Sequence, residues 1–189
     1  MKMNFGRLFY TNANGLLNKL DELKLCLSTY DIDVACITET HVSSDINDAE
    51  LAISGYSFLR GDRDFNLTEG EGISGGGGSV IYYKSSIKVE ENCIMKNAPD
   101  SVAIDIQTLD GKICIACIYR STSLNDYNNN ALLKCIENIC NEHNDYETII
   151  TGDFNLPDVS WENGNILGVV SSENKFINLQ LEYMSEKNG

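Results

Sequence analysis

The sequence predicts an α/β sandwich, in which two mixed sheets pack together and helices cover their outer faces. Continuous apolar runs such as "DIDVACITET" and "KICIACIYR" are typical of strands that are covered on both faces. Segments with apolar residues three and four positions apart indicate amphipathic helices between those strands. A turn dipeptide, Asp110 and Gly111, joins two strands in a hairpin. Strands and helices that mix in this way favour a layered fold, and a length of 189 residues predicts a single domain.

The first third of the chain alternates strands and helices. "GRLFYTNANG" begins as a strand and stops at the turn formed by Asn14 and Gly15. Helix spacing then runs from Leu16 to Tyr30, and the buried strand "DIDVACITET" follows. A short helix is predicted near Asp48–Ile53, and a strand through Tyr56–Leu59.

A glycine-rich loop separates these elements from the rest. Residues 61–79 include six glycines between Gly70 and Gly78. A strand follows the glycines, whereas a P-loop has Lys-Ser/Thr and a helix there, so the loop is not predicted to bind a nucleotide. The remaining predicted elements are the strands "SVIYYK", "SVAIDIQTL", "KICIACIYR" and "YETIITGDFN", and the helices "NDYNNNALLKCIENICNEHN" and "SSENKFINLQLEYMSEKNG".

Charge and cysteine content narrow the classes of function. The net charge of −14 is compatible with a site for a divalent cation but counts against tight binding of nucleic acid. Seven cysteines without an export signal predict free thiols in an intracellular, reducing compartment. Cys114 and Cys117 lie three apart on a predicted strand, which places them on opposite faces and disfavours a zinc site. No apolar run reaches the roughly 18 residues of a membrane span.

Polar residues stand at the ends of four predicted strands. They are Asn12 and Asn14, then Glu39, then Tyr119 and Arg120, and finally Asp153 and Asn155. If these ends share one edge, their oxygen atoms suit Mg²⁺, which takes one or two carboxylates and keeps several waters. Each residue also has an ordinary interpretation: a turn at Asn14, a solvated acid at Glu39, a core edge at Tyr119 and an Asx turn at Asp153.

Four motifs in order resemble a known family. "NANGLLNKLDEL", "CITETH", "YRSTS" and "GDFNLPDVSW" are similar to segments of the endonuclease/exonuclease/phosphatase superfamily, most of all the endonuclease domain of non-LTR (LINE-type) retrotransposons. "FLRGDR…GGGGSVIYYK" matches those proteins as well, and the resemblance covers roughly residues 7–186. It implies a four-layered α/β sandwich, cleavage of DNA with Mg²⁺ or Mn²⁺, a reverse transcriptase domain in the full-length element and a nuclear location.

The resemblance also assigns roles to the strand-end residues. Glu39 would bind the metal, and Asn12 would help to hold that carboxylate. Tyr119 would contact the phosphate or a metal-bound water, Asp153 would orient or deprotonate the attacking water, and Asn155 would bond to the scissile phosphate. The residues expected on the substrate side are Asn14, Arg120 and His41.

The chain departs from the family at two places. "YRSTS" has a serine where the family usually has a proline, and the family's later aspartate and Ser-Asp-His sequence do not occur. The histidines are His41, in "ETH", and His143, interpreted as a surface cap. These departures predict a chain incomplete at its C-terminus, without the last strands of the fold, and a weak or inactive nuclease. The alternatives are a phosphatase acting on small phosphorylated substrates and a non-catalytic relic or binding module.

Overall fold

The computed structural model describes residues 6–63, 76–122, 126–142, 147–155, 160–162 and 165–167. The chain divides into two compact units, residues 1–154 and residues 155–189. The first unit contains both large sheets. In the second unit, two short strands, Ser160–Glu162 (β9) and Asn165–Leu167 (β10), form an antiparallel pair. The predicted C-terminal helix, "SSENKFINLQLEYMSEKNG", lies outside the described residues.

Four strands form the first sheet of the first unit. They are Leu8–Asn12 (β1), Val34–Thr38 (β2), Tyr56–Gly61 (β3) and Ser79–Lys84 (β4), and their order in the sheet is β1-β2-β4-β3. β1 and β2 are parallel, while β4 runs antiparallel to both of its neighbours, β2 and β3. The ends of β1, β2 and β3 and the beginning of β4 therefore share one edge.

The second sheet also has four strands. They are Val89–Glu91 (β5), Val102–Gln107 (β6), Lys112–Tyr119 (β7) and Glu147–Asp153 (β8), and they lie in sequence order. β6 and β7 form the predicted hairpin, and β8 lies parallel to β7. β7 and β8 consequently end on the side where β6 begins.

Two apolar clusters among the described residues pack the layers against each other. One lies between the sheets and includes Val34 and Cys36 of the first sheet with Ile104 and Ile115 of the second. The other lies on the outer face of the first sheet, where Leu23 and Leu27 pack from the helix between β1 and β2. This arrangement confirms the predicted α/β sandwich of two mixed sheets with helices outside.

The helices correspond to the predicted ones with shorter bounds. A 3₁₀ turn at Leu17–Lys19 leads into α1 (Leu20–Thr29). α2 is a single turn, Asp48–Leu51, which begins with a capping box between Asn47 and Glu50. α3 covers Asp126–Glu142. Among the described residues no helix is long and apolar enough to cross a membrane.

Two of the described elements of the first unit are absent from the sequence prediction, the short strand β5 and a 3₁₀ helix at Cys93–Asn97. The thiols of the C-x-x-C pair lie on opposite faces of β7, as predicted. Cys117 lies in the cluster between the sheets, while the Cys114 thiol contacts Asn92, the residue just before the 3₁₀ helix.

Candidate active site

The shared strand edge gathers most of the predicted site residues of the first unit. Asn12 is the last residue of β1, Glu39 follows β2, and Tyr119 and Asp153 end the paired strands β7 and β8. The Asn12 side-chain amide donates a hydrogen bond of 3.0 Å to Asp153 Oδ2. This bond joins the two sheets, because Asn12 belongs to the first and Asp153 to the second.

The Asn12 side chain is oriented by two hydrogen bonds. Its Oδ1 accepts the backbone N–H of Asn14 at 3.0 Å, so Nδ2 is left to donate to Asp153. Asn14 makes the tight turn with a positive φ of 45°, a conformation that asparagine tolerates better than most residues. The resemblance predicts that Asn12 supports the Glu39 carboxylate; in the structure its amide supports Asp153.

Backbone hydrogen bonds fix the segment that carries Glu39. The Gly15 N–H donates to Glu39 O at 2.8 Å, and the Leu16 N–H donates to Thr40 O at 2.9 Å. Glu39 has a φ of 49°, so the chain leaves β2 sharply and turns the carboxylate to the edge. The side chain is 24% exposed, and its Oε2 lies 3.9 Å from His41 Nε2. His41 is thus beside the predicted metal ligand.

Tyr119 brings a buried phenol to the same edge. The residue is 8% exposed, and its backbone N–H donates to Ser101 Oγ at 3.3 Å. Burial raises the pKa of Tyr119, and the neighbouring charge of Glu39 raises it further. The hydroxyl group therefore stays protonated at neutral pH and can donate a hydrogen bond to an anionic oxygen.

Arg120 is held by neighbouring groups of the protein. Its backbone N–H donates to Asp153 O at 2.8 Å. Its guanidinium donates to Asn129 Oδ1 at 3.0 Å and to Phe154 O at 3.4 Å. Burial lowers the pKa of Arg120, and these contacts show a side chain that braces the end of β8. A contact of Arg120 with substrate stays a prediction.

Asn155 opens the second unit, with a positive φ of 46°. Its assigned role, bonding to the scissile phosphate, stays a prediction from the sequence. His143 lies outside the described residues.

Tyr10 is a residue of the edge that the sequence prediction missed. Its hydroxyl lies 3.1 Å from Thr38 Oγ1. Burial raises the pKa of Tyr10, and the charges of Asp153 and Glu39 raise it further, which places the hydroxyl near both acids. The two-residue period of β1 was the available signal, because it puts Tyr10 on the same face as Asn12.

The donor set at the edge fits a hard divalent cation. Glu39 and Asp153 carry carboxylate oxygens at this edge, and the Asn12 side-chain amide contacts Asp153. Within the described part of the chain, no group of three or more His, Cys, Asp or Glu side chains could hold a metal ion. A site with one or two carboxylates matches Mg²⁺ or Mn²⁺ and not the four-ligand pattern of zinc.

Comparisons with known proteins point to one family. Residues 113–186 match the family model Exo_endo_phos_2, described as endonuclease-reverse transcriptase. The RNA-directed DNA polymerase from mobile element jockey of Drosophila funebris is 30% identical over 105 residues, which are 56% of this chain and 10% of that protein. Its Drosophila melanogaster counterpart is 29% identical over 108 residues, 57% of this chain and 11% of that protein. These matches support the resemblance to the endonuclease/exonuclease/phosphatase superfamily, and they cover part of the chain.

Several solved structures share the fold of this chain. The endonuclease domain of TRAS1, a telomere-specific non-LTR retrotransposon, has a TM-score of 0.55 at 15% identity and covers 78% of this chain and 59% of that one. The AP endonuclease LMAP from Leishmania major has a TM-score of 0.61 at 18% identity and covers 82% and 58%. The chain spans about a tenth of the length of the two jockey relatives and somewhat more than half of these solved chains.

Proposed function

We propose that the chain is a divalent-metal-dependent DNA endonuclease domain of the retrotransposon type. The observation that carries the proposal is the hydrogen bond between Asn12 and Asp153, which unites the two sheets at the edge where Glu39 and Tyr119 also lie. The jockey relatives are named RNA-directed DNA polymerases. This name supports a reverse transcriptase as the partner of the domain. A DNA substrate and a nuclear location are part of the proposal and come from the resemblance in sequence.

Each residue of the edge has a part in phosphodiester hydrolysis. Asp153, held through Oδ2 by Asn12, orients the attacking water and accepts its proton. Tyr119, kept protonated by burial, donates a hydrogen bond to a non-bridging phosphate oxygen. Glu39 would hold Mg²⁺, which when bound stabilises negative charge on the phosphoryl and leaving oxygens.

We expect slow turnover from these 189 residues. The sequence contains no Ser-Asp-His motif, and His41 is the histidine beside Glu39. Catalytic groups that act as a unit are strongly non-additive, so a site that uses part of such a set retains a small share of the rate.

A second candidate is a phosphatase of the same superfamily acting on small phosphorylated substrates. The net charge of −14 favours it, since DNA affinity depends on basic contacts with phosphates. Several described basic side chains are also paired with acids: Arg60 with Asp62, and Lys84 with Asp33.

Assays with two different substrates distinguish the endonuclease from the phosphatase. We would measure nicking of supercoiled plasmid and hydrolysis of p-nitrophenyl phosphate with Mg²⁺, using the wild type, Asp153→Asn and Asp110→Asn. Asp110 is an exposed aspartate in the β6–β7 turn, at the opposite edge of the sheet, and so controls for the loss of one carboxylate. We expect plasmid nicking that Asp153→Asn abolishes and Asp110→Asn preserves. Hydrolysis of the monoester alone would support the phosphatase, and nicking that survives Asp153→Asn would contradict the assigned site.

A further inference from the structure

We propose that the buried ion pair between Arg63 and Asp100 is a positioning pair, which holds the Glu39 segment and Tyr119 in register across the two sheets. The expected effect of the pair on catalysis rests on the proposed function. The expected effect on the position of the Glu39 segment and Tyr119 rests on the geometry alone.

The pair lies between the sheets at the site edge. Arg63 comes two residues after β3 ends, and Asp100 comes two residues before β6 begins. Arg63 Nε donates to Asp100 Oδ2 at 3.2 Å, and Nη2 lies 3.2 Å from the same oxygen. The side chains are 5% and 2% exposed. An ion pair this deeply buried links the first sheet to the second.

On the side of the first sheet, the pair supports the segment that carries Glu39. The Gly78 N–H donates to the Asp100 carboxylate. A Cβ on Gly77 would lie 2.9 Å from Arg63 Cζ, so the glycine backbone rests against the guanidinium group. The carbonyl of Gly77 in turn accepts the N–H of His41 at 3.0 Å, and that of Gly78 accepts the N–H of Thr40 at 3.4 Å. A displacement of the ion pair would therefore displace Thr40 and His41, the residues after Glu39.

On the side of the second sheet, the pair supports Tyr119. Asp100 precedes Ser101, whose Oγ accepts the Tyr119 N–H at 3.3 Å. The charges of Arg63 and Asp100 also act on the pKa of the Tyr119 hydroxyl in opposite directions, which places the hydroxyl near both. Gly61 fits closely here, because a Cβ on it would lie 2.4 Å from Ser101 O.

The pair is poorly explained by stability alone. Arg63 Nη2 and Asp100 Oδ1 are buried and have no hydrogen-bond partner among the described residues. Removing both charges of such a pair is often neutral or stabilising, whereas removing one is costly. An incompletely satisfied pair at this place is better explained by what it aligns.

The decisive variant is the double substitution Arg63→Met with Asp100→Asn. It removes both charges together, and asparagine tolerates the positive φ of 53° at position 100. We expect a folded protein in which amide hydrogen exchange rises about tenfold or more at residues 40–41 and 119, while exchange at residues 34–37 is unchanged. With DNA as substrate, kcat should fall about 100-fold with little change in KM, since small misplacement of reacting groups has effects of that size.

The control is Lys84→Met, which removes the ion pairs with Asp31 and Asp33 at the opposite edge of the first sheet. It should leave exchange at residues 40–41 and 119 and kcat unchanged. A folded double variant with wild-type exchange and wild-type kcat would overturn the proposal.

If the double variant does not fold, the variant Arg63→Lys tests the proposal, because it keeps the positive charge and loses the planar contact with Gly77. Amide exchange at residues 40–41 and 119 should still rise in this variant. Wild-type exchange there would overturn the proposal. If the wild-type chain cleaves no DNA, the proposed function fails, and the exchange measurement still decides the positioning.

Discussion

Gly152 shows how one residue shapes the site. It precedes Asp153, has a φ of 142° and lies opposite Ile118 of β7. A Cβ at this position would lie 1.9 Å from Ile118 O, closer than any side chain allows. The glycine in "TGDFN" therefore permits the close approach of β8 to β7 that places Asp153 beside Tyr119.

A pair of glycine substitutions tests this role. Gly152→Ala should lower the free energy of unfolding by about 1–3 kcal/mol more than Gly111→Ala, because overpacking against a fixed backbone has that cost. Gly111 has a similar φ of 152°, but a Cβ added there would meet nothing within 4 Å, so it isolates the clash from the backbone strain. Urea unfolding of both variants measures the difference. Equal losses would show that the close contact does not constrain β8.

The sequence predicts which polar residues stand at the strand ends, but it does not predict which residues they contact. Glu39, Tyr119 and Asp153 stand at strand ends, where polar residues interrupt apolar runs, and this pattern can be read locally. The bond between Asn12 and Asp153 joins residues 141 positions apart, and the pair of Arg63 and Asp100 is separated by 37. No local pattern predicts such contacts, since they depend on how the sheets pack.

At the scale of the elements, β1, β2 and β4 are tied together by Asp33 at the edge away from the site. Its Oδ2 accepts the N–H groups of Gly6 and Arg7 at 3.1 and 3.0 Å, and its Oδ1 pairs with Lys84 at 2.7 Å. Burial alone would raise the pKa of Asp33, but the hydrogen bonds from Lys84 and the Arg7 amide outweigh burial and lower it. The ionised form is thus favoured in the folded protein.

This tie predicts a pH dependence. A carboxylate whose pKa is lowered by folding contributes stability above its unfolded pKa, near 3.8, and loses it as the pH falls through the folded value. Asp33→Asn should therefore cost about 1–3 kcal/mol at pH 7, and the difference from wild type should shrink below pH 3.8. Urea unfolding across that range, with the exposed Asp110→Asn as control, measures it. A difference independent of pH would contradict the assignment.

The sequence predicts the long and buried elements more readily than the short and exposed ones. The sequence predicts β2 and β7 because their apolar runs are continuous, and α1 because its leucines repeat at helix spacing. β5 has three residues, two of them exposed, which is too short for a period to emerge. The 3₁₀ helix after β5 is not predicted either, because its five residues are also too few to show a period.

At the scale of the whole molecule, the acidic charge counts against tight binding of DNA, since DNA-binding proteins contact phosphates through basic side chains. The net charge is −14, and Arg63, which lies at the site edge, is buried in the pair with Asp100. We therefore assign the reaction to the acids at the edge and little of the DNA affinity to this chain's basic side chains.

The dependence of DNA cleavage on Mg²⁺ and Glu39 tests the proposed chemistry most directly. We would measure single-turnover cleavage of a labelled duplex against Mg²⁺ concentration for the wild type, Glu39→Gln and Glu90→Gln, the last an exposed glutamate of β5. We expect a wild-type rate that saturates with Mg²⁺, a rate about 100-fold lower for Glu39→Gln, and no change for Glu90→Gln. Cleavage that persists in EDTA, or a Glu39→Gln rate equal to that of the wild type, would contradict a metal site at Glu39.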